Sequence, residues 1–320
     1  MTRAAAAALA VLLALAGCSS GPGSPAAQST SPSPSVESTT SPSPATTPSP
    51  SPSPSTPAEP EDEAFVPAYD EPLPRKAAPL AERLERVTVA LRESIASWVE
   101  EGTTGARPPW RVTLQALYQQ RIYRLLSRRP GLARRVPTLL PRGIRSEAVA
   151  NATAGARLRS LVTPLKPPVR LKTGRAEPAG TLLRYYRRAE RRFGVEWEVL
   201  AAVNYVETKF GRVRSSSSAG AQGPMQFLPS TWDAYGLGGD IDDPRDSILG
   251  AANYLHASGA PSNYRAALYA YNHSDAYVDA VLLYARQMKR RPESYYAYYS
   301  WQVFVITTKG DVRLTGPGAR

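Results

Sequence analysis

Residues 197–211 read Trp197-Glu198-Val199-Leu200-Ala201-Ala202-Val203-Asn204-Tyr205-Val206-Glu207-Thr208-Lys209-Phe210-Gly211, and the fold turns on this stretch. With Val199 at the origin and about 100° per residue, Leu200, Val203, Val206 and Phe210 fall on one arc of about 120°. That spacing predicts a helix over 197–210, ended by Gly211. Glu207 lies at about 80°, inside the apolar arc and in the last turn, whereas Glu198 and Lys209 lie on the opposite side at about 260° and 280°. A carboxylate on a buried face is costly unless it is paired or used. Burial and the negative end of the helix dipole both disfavour ionisation, so the Glu207 pKa is expected to rise. A carboxylic acid kept protonated near neutral pH is what a general acid requires. Periodicity alone allows a second reading equally well: a buried Glu held by an Arg or a backbone donor.

Helices continue on both sides. Upstream, Leu80, Leu84, Val87, Leu91, Ile95 and Trp98 step by three and four along an amphipathic helix over 80–101. A second helix runs over 114–126 and stops at Pro130-Gly131. A third, Ala-rich, covers 146–162 and stops at Thr163-Pro164. Residues 164–178, with four prolines and four basic residues, read as a linker. Downstream, helices are expected over 180–193, 229–235, 245–258, 262–271 and 274–288. The β-branched run 302–307, a turn at Lys309-Gly310-Asp311 and Val312–Leu314 predict a terminal β-hairpin. The tyrosines at 295, 296, 298 and 299 are read as core or hairpin base, although they could stack on sugar rings.

Three motifs follow one another around Glu207: Glu207-Thr208, then Gly220-Ala221-Gln222-Gly223-Pro224-Met225-Gln226-Phe227, then Ala270-Tyr271-Asn272. Glycines three apart allow a tight turn whose backbone can approach a ligand, and the Gln226 amide can both donate and accept. In their order and spacing these motifs resemble the lytic transglycosylases of the lysozyme-like superfamily, glycoside hydrolase family 23. The resemblance covers about residues 180–290. It implies a mainly α, lysozyme-like catalytic domain at 176–300; outside it, the residues themselves read as a basic helical accessory region with its linker at 75–175 and a hairpin and tail at 301–320.

By the same resemblance Glu207 is the catalytic acid/base, while Ser217, Met225, Gln226, Phe227, Tyr271 and Asn272 bind substrate. Tyr271 and Asn272 match residues that contact the catalytic Glu or the substrate's N-acetyl group. Pro224 stands where the family usually has Leu, which removes a backbone donor and stiffens the turn. The implied reaction cleaves the bond between N-acetylmuramic acid and N-acetylglucosamine in peptidoglycan, closing a 1,6-anhydro ring and needing no cofactor or metal. It uses one carboxylate where ordinary glycosidases use two. The nearest other acids, Asp240, Asp242, Asp243 and Asp246, read as a solvated loop and a helix N-cap. Two further functions remain open: a hydrolytic muramidase of the same fold, and a wall-binding lipoprotein that has lost activity.

Composition supports an exported enzyme. Arg3 precedes an apolar run, Ala4–Ala16, too short to span a bilayer but suited to a signal peptide over 1–18. Leu15-Ala16-Gly17-Cys18 resembles a bacterial lipobox, which makes Cys18 the lipidated N-terminus of an extracytoplasmic membrane lipoprotein facing the wall. It is the single cysteine, which excludes an intrachain disulfide and a Cys-based zinc site, and two histidines disfavour a His-rich metal site. The P-loop, dinucleotide and nucleophile-elbow patterns are absent. Residues 19–74, rich in Ser, Pro and Thr, form a tether that as a coil spans about 40 Å and as polyproline II up to ~170 Å. Of the net charge of +12, residues 75–175 carry 21 basic against 6 acidic residues, a net of +15. Outside the cell this favours anionic wall polymers or lipid headgroups over nucleic acid as partners.

Overall fold

The computed structural model describes residues 65–319, so the signal peptide, Cys18 and the tether up to residue 64 lie outside the described residues. The architecture is mainly α, as the sequence predicts. The helices are α1 (Ala77–Glu100), α2 (Trp110–Arg128), α3 (Pro130–Thr138), α4 (Arg142–Ser160), α5 (Ala179–Phe193), α6 (Trp197–Thr208), α7 (Pro229–Tyr235), α8 (Pro244–Ala257), α9 (Tyr264–Tyr271), α10 (Asp275–Arg290) and α11 (Glu293–Ser300). One antiparallel hairpin closes the chain, β1 (Phe304–Thr307) against β2 (Gly310–Arg313).

All six apolar residues spaced along α1 are buried, each stabilising the fold by about 1.5–3 kcal/mol relative to exposure. They join the same hydrophobic core as α5, α6 and α10. The join is made by α10, which packs on α6 and also on α4, while α11 packs against α1 and α2. The helices before residue 163 therefore share one core with those after it.

Three expectations need correction. Pro130-Gly131 ends α2 but also opens α3, because a proline at the first helical position gives up an N–H that has no intrahelical partner anyway. The stretch 164–178 is pinned rather than free: Leu165 N donates to Ile306 O (2.9 Å), Thr308 N to Leu165 O (2.9 Å), Gly174 N to Arg212 O (2.8 Å) and Arg214 N to Lys172 O (2.9 Å). The core reading of the tyrosines holds for Tyr295, Tyr298 and Tyr299, which are buried on a helix of their own, α11. The hairpin turns at Thr308-Lys309, one residue earlier than read, since Thr307 pairs with Gly310 at φ 115°.

The hairpin is held by charge. The Asp311 carboxylate accepts from Arg124 Nη2 (2.6 Å) and Arg159 Nη2 (2.7 Å), and Arg128 lies at 3.7 Å. Burial pushes the Asp311 pKa up, but the three guanidiniums more than offset it and hold it below its ordinary value. The Arg124 guanidinium also stacks on Phe304, 4.5 Å from the ring centroid.

Candidate functional site

Helix α6 is buried on every side: only Trp197, its first residue, is partly open. A helix that is apolar all round belongs at the centre of a fold, and α5, α8, α10 and α11 surround it. This corrects the expectation of a solvent side. Glu198 is 9% exposed, and Lys209 does not continue the helical wheel, because α6 ends at Thr208 and Lys209 is left-handed (φ 54°). That turn lays the Lys209 ammonium over the Tyr205 ring at 4.2 Å, donating to Tyr205 O at 3.0 Å.

Glu207 sits in the last turn of α6, 4% exposed. Burial pushes its pKa up to about 8, held from going higher by a hydrogen bond from Tyr277 and by Lys209. The Tyr277 hydroxyl, from the first turn of α10, donates to Glu207 Oε1 at 2.7 Å. Lys209 moves the other way: burial, with Arg124 next in effect, lowers it to about 7, and Glu207 resists the fall.

The glycine-rich segment is docked onto α6 and α9 by hydrogen bonds to its carbonyls. Pro224 O accepts from Asn204 Nδ2 (2.9 Å) and Thr208 Oγ1 (2.6 Å), and Met225 O accepts from Tyr271 Oη (2.7 Å). Thr208 Oγ1 also accepts from Gly211 N (2.8 Å), closing the turn after α6. Asn204 is in turn fixed by Tyr186, whose hydroxyl donates to Oδ1 at 2.8 Å. The segment is itself a small antiparallel turn, with Gln222 and Phe227 exchanging both backbone bonds (2.8 and 2.9 Å). Its Gly223 is left-handed (φ 71°), and a Cβ there would meet Ile241 O at 2.0 Å. Only glycine fits this position.

The remaining sequence-predicted residues divide by position. Ser217 is half-buried and spends its hydroxyl locally, accepting from Ala219 N (3.2 Å) and Ala221 N (3.0 Å). Gln226 is half-buried and left-handed (φ 52°), its side-chain amide donating to Gly223 O (3.2 Å). Met225 and Phe227 are in the core, with Phe227 edge-on to Tyr271 at 5.9 Å. Asn272 ends α9 and is buried. Tyr271 thus stands beside the glycine-rich turn, while the phenol on Glu207 comes from Tyr277, which sequence reasoning missed. Tyr277 falls in an ordinary apolar stripe with Val278, Val281 and Tyr284, and no local signal separates it from a core aromatic.

The acids around Asp243 are engaged with their own loop, as expected. Asp243 caps α8, its carboxylate accepting from Arg245 N and Asp246 N. Asp240 Oδ1 accepts from Asp242 N at 2.9 Å. What the arrangement offers chemically is one carboxyl, protonated at neutral pH, with a phenolic donor able to stabilise it once it ionises.

Residues 184–293 match the model of the Transglycosylase SLT domain. A 74-residue segment is 35% identical to membrane-bound lytic murein transglycosylase F of Thiobacillus denitrificans (strain ATCC 25259 / T1), covering 23% of this chain. The match spans 15% of that relative's length. No solved structure matches the chain. The chain thus carries an SLT domain, and that domain contains Glu207, the glycine-rich turn and Tyr277.

Proposed function

We propose that the protein is a peptidoglycan lytic transglycosylase in which Glu207 is the sole acid/base. The observation that carries this reading is the buried carboxyl at about pKa 8, bonded to Tyr277 inside the SLT match. In the first step Glu207 gives its proton to the oxygen bridging N-acetylmuramic acid and N-acetylglucosamine. The C1–O bond breaks, and the substrate's own acetamido group stabilises the positive C1. The Tyr277 hydroxyl then faces a carboxylate and strengthens its hydrogen bond as charge develops. In the second step that carboxylate takes the proton of the C6 hydroxyl as O6 bonds to C1, closing the anhydro ring and restoring the neutral acid. Ser217, Met225, Gln226, Phe227, Tyr271 and Asn272 are assigned to binding the glycan strand or shaping the turn that does so.

The product distinguishes this reaction from that of a muramidase, which activates water with a second carboxylate. Digestion of purified peptidoglycan in oxygen-18 water is expected to leave 1,6-anhydro ends without label. Label at the muramic C1, or products reducible by borohydride, would identify a hydrolase instead.

Localisation belongs to the same reading. A lipidated Cys18 would place the domain on the outer face of a membrane, within tether reach of the wall, and the net charge of +15 over 75–175 suits an anionic surface there. Among the described residues no helix is long and apolar enough to cross a membrane. Cys18→Ser is expected to move the protein out of the membrane fraction; unchanged fractionation and mass would refute lipidation.

A further inference from the structure

A cavity holding about 110 Å³ of free space lies where α2, α4, α6, α10 and β1 meet. It is lined mostly by apolar side chains, among them Leu158, Val162, Val206, Val303 and Ile306. Three of its polar atoms share one property. Trp301 Nε1, Asn151 Nδ2 and Arg124 Nε all belong to lining residues, and each is a buried N–H with no acceptor. Trp301 and Asn151 are 3% and 2% exposed, so solvent does not satisfy them from outside. A buried donor left unpaired costs about 1–3 kcal/mol, and three around one cavity ask for an acceptor inside it.

Charge narrows the choice. Arg124, Arg159 and Lys209 line the cavity, and the carboxylate bonded at its edge is Asp311, shared between the two arginines. Cations outnumber anions, so an acceptor with negative charge fits better than a neutral one. Lys209, its pKa lowered to about 7 by burial, has one oxygen acceptor, Tyr205 O, and an anion beside it favours its charged form. The apolar lining disfavours a small, strongly hydrated anion such as phosphate, which has nothing to bury there.

We propose that this cavity is a binding site for a short-chain carboxylate, its head group taken by Lys209 Nζ, Arg124 Nε and Trp301 Nε1 and its hydrocarbon arm laid against Leu158, Val206 and Ile306. Glu207 itself does not line this cavity. It touches that residue's surroundings through Lys209 and Tyr277, which line the cavity as well.

The test is ligand binding by the full chain, read by the indole N–H resonances and by thermal shift, with hexanoate, hexanol, acetate and phosphate as probes. Hexanoate is expected to bind saturably, to move the Trp301 Nε1–H resonance downfield among the five indoles, and to bind at least about tenfold more tightly than the other three. Lys209→Met is expected to weaken hexanoate about tenfold or more while leaving the protein folded. Trp301→Phe, a second variant, removes the indole donor; if its lost packing unfolds the chain, the wild-type resonance still decides. Equal binding of hexanol would show an apolar hole without a carboxylate site and overturn the proposal. Equal effects of acetate or phosphate, an unmoved Trp301 resonance, or unchanged affinity in Lys209→Met would overturn it too.

Discussion

Replacing Glu207 by Gln separates what the residue does for the reaction from what it costs the fold. Its pKa is about 8 in the folded protein against an ordinary value of 4.5. Below about pH 4.5 both folded and unfolded chains are protonated, and the shift contributes nothing. As pH rises further the unfolded chain ionises at this residue while the folded one does not, so stability is lost until about pH 8, where the loss levels off. At 1.36 kcal/mol per pH unit, the penalty at pH 7 is about 3 kcal/mol. Gln keeps the shape and an oxygen for the Tyr277 hydroxyl but cannot ionise. Glu207→Gln should therefore be more stable than wild type by up to about 3 kcal/mol at pH 7 and about equal to it at pH 4. The same substitution removes both proton transfers, so release of muropeptides should fall by about 10²- to 10⁴-fold. Urea unfolding from pH 4 to 8.5 reads the first effect, and mass spectrometry of digested peptidoglycan the second. A variant less stable than wild type at pH 7, or one within tenfold of wild-type activity, would refute the account of Glu207.

Other substitutions probe the supports. Wild-type activity should decline as pH rises through about 8, where the acid ionises. Tyr277→Phe should move that limb upward, because the phenol favours the ionised form, and should lower kcat roughly 10- to 100-fold through loss of a hydrogen bond to a charged group; an unmoved pH profile would count against Tyr277. Thr208→Val keeps the branched shape but leaves Pro224 O and Gly211 N each short of a partner. It should cost about 1–3 kcal/mol by denaturant titration, and a neutral result would mean that the turn is held by Asn204 and Tyr271 alone. Gly223→Ala drives a Cβ into Ile241 O at a left-handed backbone angle; the expected loss exceeds about 1–3 kcal/mol, and an unchanged melting temperature would refute the close approach.

The sequence carries the features that depend on spacing along one chain segment. All six residues of the three-and-four pattern lie on the buried face of α1, and Asp243 caps α8 as an Asp before a helix should. The glycine at 223 is needed where the motif places it. Spacing fails where a helix ends or where packing comes from elsewhere. The helical wheel assigns Lys209 to the outside because it extends α6 past Thr208, but one left-handed residue turns the side chain back over Tyr205. An apolar arc on α6 implies a polar back, yet its back is buried too, since α5, α8, α10 and α11 close around it.

Pro224 shows the opposite case, a departure from the family pattern that the fold absorbs. Its ring removes an N–H, but the turn is docked through carbonyls, and Pro224 O still accepts from Asn204 and Thr208. The same logic explains why Tyr277 was invisible. Its bond to Glu207 spans 70 residues and depends on the packing of α10 against α6, while α10 also packs on α4. The N-terminal helices therefore help to set the carboxyl's hydrogen bond without touching it. A change at the α4–α10 contact that leaves every motif residue intact should still alter the Glu207 pH profile, by shifting the phenol rather than the acid.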